Sequence, residues 1–134
     1  MKPLEVISKT GKVNNTDERI FNFFADLRNI SRLVPPDVQD WNATEDTCSF
    51  VVKGQKMALK IVDREPFKTI KIQGDDGSPY QFTLWLQLKS LTAYETAVRI
   101  VVRAELNMMM RAAVKKPLQQ GVDQIVDYMK MLPY

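Results

Sequence analysis

The sequence contains no histidine, and its 134 residues include a single cysteine, Cys48. The missing histidine excludes histidine-based catalytic triads, imidazole general bases and nearly every common catalytic zinc site. One cysteine cannot build a disulfide framework or a cysteine-cluster metal site. There is also no glycine-rich phosphate loop and no cluster of metal ligands, so the sequence predicts no cofactor and no metal.

Long apolar runs are missing as well. No run approaches the ~18 residues that a membrane span needs, and the N-terminus lacks the apolar core of a signal peptide. We therefore expect no membrane insertion, and the single thiol favours a reducing, cytoplasmic setting. The net charge is +3, from 19 basic and 16 acidic residues. Because the two signs alternate along the chain without a basic stripe, we predict no nucleic-acid partner.

What remains is the composition of an ordinary globular domain, with 45% hydrophobic and 26% charged residues. A chain of this length buries roughly two-thirds of the surface that it exposes when unfolded, which is enough to form one hydrophobic core without disulfide bonds or bound metals. No internal repeat, low-complexity tract or linker interrupts it. We therefore predict one domain over residues 1–134.

The first third of the chain predicts a strand followed by two short helices. Residues 4–12 have the pattern of a strand. Asn15 is placed to cap a helix that follows it. A second helical turn over 27–33 must end before Pro35, since proline disfavours helix in its predecessor.

The rest of the chain predicts a sheet and then a long helix. From 38 to 106 apolar and polar residues alternate with period two, which indicates an antiparallel sheet with one buried face. Residues 107–132 return to a helical period. The inner face of the sheet would cover its apolar stripe, which consists of Val114, Leu118, Gly121 or Val122, Ile125, Met129 and Leu132, with Met110 at its head. A kink or a break is expected at Lys116-Pro117. The predicted fold class is α+β.

Several stretches of sequence together carry a resemblance to a known family. They are Lys9–Val13 leading into the first helix, Leu33–Pro35, Thr83–Leu88, and Ala104–Met110 followed by Lys116–Leu118. On these stretches the chain resembles the START-like superfamily, also called SRPBCC, which includes polyketide cyclases and birch pollen allergen-like proteins. The resemblance implies a helix-grip fold, in which a curved seven-stranded antiparallel sheet wraps a long C-terminal helix and two short helices follow strand 1. It also implies a cavity between sheet and helix for a hydrophobic or amphipathic small molecule, and it brings no catalytic motif.

The inward-facing residues of the alternating strands are the candidate lining of that cavity. They are Phe50, Val52, Leu59, Ile61, Ile70, Ile72, Phe82, Leu84, Leu86, Val98, Ile100 and Val102. From the helix side the candidates are Met109, Met110, Ala113, Val114 and Pro117. A packed core needs the same apolar side chains as a cavity wall, so periodicity leaves both interpretations open. The methionine run is likewise either an adaptable cavity mouth or a gap-filling helix start.

Few polar side chains share the inward register. Tyr94 and Thr96 do, and their hydroxyls would be able to orient the polar end of a ligand. Asp63 has the parity of the inward residues on its strand, although an aspartate at a strand end usually turns to water. Trp41 and Tyr80 complete the inward candidates. Cys48 is expected to be a small buried hydrophobe, because no histidine is present to activate it.

Trp85 has the opposite parity, on the outer face beside Arg99 of the following strand. A large aromatic residue flanked by arginine suits a subunit interface, and hence a homodimer. The alternative is a tryptophan shielded by arginine stems on a monomer surface.

Three functions follow from these residues and the resemblance. The first is binding or carriage of a small hydrophobic molecule. The second is an enzyme of the cyclase or dehydratase kind, in which Asp63, Tyr80, Tyr94 or a glutamate would do the acid–base work. The third is a protein-interaction or dimerisation module acting through the outer sheet near Trp85.

Overall fold

The computed structural model describes residues 3–33, 36–52, 54–74 and 81–134, which form one antiparallel sheet and its covering helices. The strands are β1 (Leu4–Ile7), β2 (Gly11–Val13), β3 (Val38–Ala43), β4 (Thr47–Val52), β5 (Gln55–Glu65), β6 (Thr69–Gly74), β7 (Phe82–Thr92) and β8 (Glu95–Ala104). The helices are α1 (Asp17–Phe24), a 3-10 helix (Leu27–Leu33) and α2 (Met108–Met131).

The strand order across the sheet is β1, β8, β7, β6, β5, β4, β3, and β2 also pairs with β8. Since β1 and β2 share one neighbour, the sheet is seven strands wide, as the resemblance implied. The predicted strand over 4–12 is in fact two short strands, separated by residues 8–10. The α+β class, the antiparallel sheet, the two short helices and the long C-terminal helix are confirmed.

The break between β1 and β2 is where α2 is attached to the sheet. The Lys9 amide donates to Asp123 Oδ1 at 2.7 Å, and Gln119 Nε2 donates to the Ile7 carbonyl at 2.8 Å. Lys9 Nζ also forms an ion pair with Asp127. Side chains of α2 therefore satisfy backbone groups that the interrupted ladder leaves unpaired.

Gly11 lets α2 approach β2 closely. A Cβ atom at this position would lie 2.5 Å from Val126 Cγ1. Val122, Val126 and Met129 form the buried stripe of this half of α2. Ile125, which the sequence placed on that stripe, is 42% exposed. Val122 and Met129 are thus buried as predicted, and Val126 is buried between them in place of Ile125.

Two details of the helices differ from the predictions. The cap of α1 is Thr16 rather than Asn15, because the Thr16 hydroxyl accepts from the Arg19 amide at 3.2 Å. The long helix α2 runs unbroken through Pro117, where the sequence predicted an interruption. Pro117 is exposed, so the carbonyl that loses its amide partner, on Ala113, lies on the solvent side of the helix.

A β-bulge in β5 reverses the predicted direction of Asp63. Ile61 pairs with Ile72 on the inner face, but Asp63 pairs with Lys71 on the outer face, so Val62 is one extra residue between them. The alternation changes phase at such a bulge. Asp63 is therefore exposed on the outside of the sheet, and its predicted inward parity is wrong.

Candidate functional site

The predicted lining residues of the inner face divide into two groups by burial. The fully buried group consists of Ile61, Ile70, Leu86, Val98, Ile100 and Val102. These side chains form one core cluster with Ile20 and Phe24 of α1 and with the buried stripe of α2. For this group the packed-core interpretation holds, because less than a tenth of each residue is open to any ligand.

The second group of inner-face residues is only half-buried. It consists of Phe50, Leu59, Ile72, Phe82 and Leu84, on the neighbouring strands β4 to β7. In the described residues, α2 lies against β1, β2 and β8, which are at the opposite edge of the sheet from β3 and β4. The inner surface of β4–β7 is covered in part by α1, which contacts β6 and β7, and by the 3-10 helix, which contacts β4, while α2 packs mainly on the neighbouring strands. We call this surface, with Val114 and Leu118 of α2, the trough.

The helix side of the trough is narrower than the sequence indicated. Met110 and Val114 are half-buried, and Leu118 continues their row at a spacing of four residues. Met109 is 83% exposed. Ala113, which directly precedes Val114 in the chain and lies beside this row, is also exposed. Pro117 is also exposed. Met109, Ala113 and Pro117 are therefore on the outward face of α2, and their assignment to the lining is corrected.

Trp41 and Phe50 lie at the β3–β4 edge of the trough. Their rings stack with centroids 5.8 Å apart, and Trp41 Nε1 donates to Ser31 Oγ at 2.7 Å. Ile30 and Leu106 are half-buried beside the core in the same way. Neither was among the predicted lining residues: Ile30 lies in the 3-10 helix, and Leu106 follows the end of β8 at Ala104.

The two predicted hydroxyl groups do not face the trough. Tyr94 lies in the turn between β7 and β8 and is 75% exposed, so its inward assignment is wrong. A register shift between Ser90 and Thr92 precedes this turn and ends the alternation. Thr96 is fully buried, and its hydroxyl donates to the Asn15 carbonyl at 2.9 Å. It joins β8 to the start of α1 and has no exposed surface for a ligand.

Replacing Thr96 with valine should test this structural role. The substitution keeps the shape but removes the hydroxyl donor, so the Asn15 carbonyl loses a partner in a buried place. We expect the free energy of unfolding to fall by about 2 kcal/mol. Thr96→Ser keeps the hydroxyl and should lose less than half as much in urea unfolding. An equal loss in both variants would contradict the hydrogen-bond explanation.

Acid–base groups do not converge in the described part of the trough. Asp63 faces outward and Tyr94 is exposed, while Tyr80 and the Val52 side chain lie outside the described residues. Cys48 faces inward opposite Leu59, and burial raises the pKa of its thiol to about 11. The thiol is therefore neutral near pH 7 and behaves as a small apolar group.

The remaining polar groups are satisfied. Every buried side-chain nitrogen or oxygen in the described ranges has a hydrogen-bond partner. In the same ranges, no three Asp, Glu or Cys side chains come together as metal ligands. The walls of the trough thus offer apolar contact, with no ready metal site among the described residues.

On the outer face, Trp85 lies between two cations. Lys71 Nζ is 5.8 Å and Arg103 Cζ is 5.3 Å from its ring centroid. Arg103 is also paired with Glu5 at 2.6 Å, and Val101, directly opposite Trp85, is buried. This packing is the arrangement expected of a tryptophan shielded by long cationic side chains.

This chain is similar to known proteins in its three-dimensional structure. No family model and no curated protein matches the sequence. Norcoclaurine synthase from Thalictrum flavum superposes with a TM-score of 0.74 at 10% identity, covering 97% of this chain and 87% of that one. A protein from Thermus thermophilus gives 0.71 at 15% identity, covering 96% and 95%.

A START superfamily protein from Mycobacterium smegmatis gives a TM-score of 0.60 at 14% identity, covering 90% of this chain and 98% of that one. At sequence identities of 10%, 15% and 14%, the similarity to these three structures shows a shared fold and nothing more specific. The chain therefore has the helix-grip fold of the START-like, or SRPBCC, superfamily.

Proposed function

We propose that this protein binds a small hydrophobic or amphipathic molecule in the trough. The observation that carries the proposal is the uneven burial of the inner face. Phe50, Leu59, Ile72 and Leu84 point to the same side as the core but remain half-buried. Apolar side chains left partly uncovered in a concave surface are typical of a ligand site.

The chemistry of the trough favours an apolar ligand surface. Its described walls are aliphatic and aromatic, and the one inward thiol is neutral. The Thr96 hydroxyl and the Trp41 Nε1 group are both engaged within the protein. A ligand that brings its own polar group would have to direct it to the open side, where water is available.

An enzymatic role of the cyclase or dehydratase kind is the alternative. Norcoclaurine synthase, one of the similar structures, is an enzyme by its name. Such a role here would need a proton donor or acceptor in the trough. Asp63 and Tyr94 are directed away from it, which favours holding a ligand over reacting with it.

Filling the trough should abolish binding without unfolding the protein. We expect the wild type to bind a pyrene-labelled fatty acid saturably, and Leu84→Trp to weaken that affinity roughly tenfold or more, because the indole occupies ligand space. Fluorescence titration in the absence of vesicles measures both.

Gln87→Trp is the matched control, since Gln87 lies on the same strand but on the outer face. It should bind the probe as the wild type does, and circular dichroism should show both variants folded. Equal loss in the two variants, or no saturable binding by the wild type, would contradict the proposed site.

A further inference from the structure

The first half of α2 presents an exposed apolar end. Met108 is 78% exposed and Met109 is 83% exposed. Asn107 caps this end, because its Oδ1 accepts from the Met110 amide at 2.8 Å. The two methionines are therefore held on an ordered helical turn rather than on a loose terminus. In its second half the same helix buries Val122, Val126 and Met129, and its exposed Ile125, Tyr128 and Met131 lie there on a segment that also carries acidic side chains.

Charge differs between the two halves of α2. Arg111, Lys115 and Lys116 lie in the first half, and no acidic residue occurs from 106 to 122. The second half carries Asp123, Asp127 and Lys130. Lys115, Lys116, Ala112 and Ala113 are exposed. The outward surface from Met108 to Pro117 is thus both apolar and cationic, and we call it the docking face.

We propose that the docking face binds the surface of an anionic lipid bilayer. Methionine side chains enter the boundary between headgroups and acyl chains, while nearby lysine side chains are attracted to anionic headgroups. A second copy of this chain would bring two more exposed lysines against Lys115 and Lys116, so charge opposes self-association here. A nucleic acid would supply the negative charge but would leave the two methionines without an apolar partner.

This docking differs from membrane insertion. No helix in the described part of the chain is long and apolar enough to cross a bilayer. The inner side of the same helical segment faces the trough through Val114 and Leu118. Docking would therefore place one wall of the trough at a lipid surface, and it does not depend on what the trough holds.

Co-sedimentation of the full chain with vesicles tests the proposal. The wild type should bind vesicles of phosphatidylcholine mixed with phosphatidylglycerol, should bind pure phosphatidylcholine vesicles much more weakly, and should be released by salt. The double variant Met108→Ser, Met109→Ser should bind the mixed vesicles roughly tenfold more weakly. The double variant Lys115→Gln, Lys116→Gln should lose roughly tenfold and much of the salt dependence.

Met131→Ser is the matched control, because Met131 is 69% exposed at the opposite end of the same helix. It should bind as the wild type does. All substituted side chains are exposed, so every variant should keep the wild-type circular dichroism spectrum and melting temperature. The proposal is overturned if the wild type stays in the supernatant with anionic vesicles at low salt, or if Met131→Ser weakens binding as much as the methionine pair. Fatty-acid binding measured without vesicles reports separately on the trough.

Discussion

Replacing Gly11 with alanine should destabilise the protein by about 2 kcal/mol, although alanine is otherwise the better residue for stability. The new Cβ would lie 2.5 Å from Val126 Cγ1, far inside contact distance. Val126 is fully buried and branched at Cβ, so it cannot swing aside as a lysine end would. Either α2 moves away from β2 or the core around Val126 is strained. Urea unfolding should show the loss as a lower midpoint with an unchanged slope.

Gly121→Ala is the matched control for this substitution. Gly121 lies inside α2, and a Cβ there would meet nothing within 4 Å. Because alanine has the highest helix propensity, this variant should gain about 1 kcal/mol. The two glycine-to-alanine changes should therefore have opposite signs. A stabilised Gly11→Ala would show that β2 and α2 are not in close contact.

Replacing Arg64 with methionine should have the second large effect on stability, a loss of about 2 kcal/mol. The bulge at Val62 turns Arg64 to the inner side of the sheet. There its guanidinium donates twice to the Ala25 carbonyl, at 3.1 and 2.8 Å, and also contacts Asp46. Ala25 ends α1, so this one side chain connects the helix end to the strand and to the turn before β4. Methionine keeps the apolar stem and removes all of these bonds.

Arg28→Met is the control. Among the described residues Arg28 forms its ion pair with Asp26, two residues away, and holds the pKa of that carboxyl below its usual value by a side-chain hydrogen bond. Its side chain is 62% exposed, so its removal should leave the melting temperature within experimental error. Similar losses for both variants would show that the Arg64 contacts add no more than a surface ion pair.

The alternation of β7 and β8 shows how far sequence periodicity reaches. Leu84, Leu86, Val98 and Ile100 all lie on the inner face as predicted, because period two over a long strand leaves one register. The parity of Asp63 failed for a local reason. One inserted residue changes the phase of a strand, and the sequence of β5 carries no mark of it.

The helix assignments failed in a related way. A period of 3.6 residues predicts that α2 has an apolar face, but it does not determine which of several neighbouring apolar residues lies at the centre of that face. Val126 was buried in place of Ile125 because Gly11 opens space on β2 opposite Val126. Met109 and Ala113 have apolar side chains and lie on the outward face. Sequence alone marks such residues as lining, since it shows their chemistry and not what is opposite them.

The sequence by itself therefore determined the class of fold, the order of the elements and the apolar character of the interior. It also determined that this chain supplies no imidazole group, since it contains no histidine. These properties depend on composition and on the local period of apolar residues, and both can be read directly from the sequence.

Only the tertiary structure decided which apolar residues are core and which are trough. Leu86 and Leu84 lie two residues apart on one strand, with the same parity and the same side chain. Leu86 is 6% exposed and belongs to the core, whereas Leu84 is half-buried. The difference depends on where α1 and α2 cross the sheet, and that is set by contacts such as Gly11 with Val126, between residues more than a hundred positions apart. Burial is a property of such distant pairs, so no local pattern can contain it.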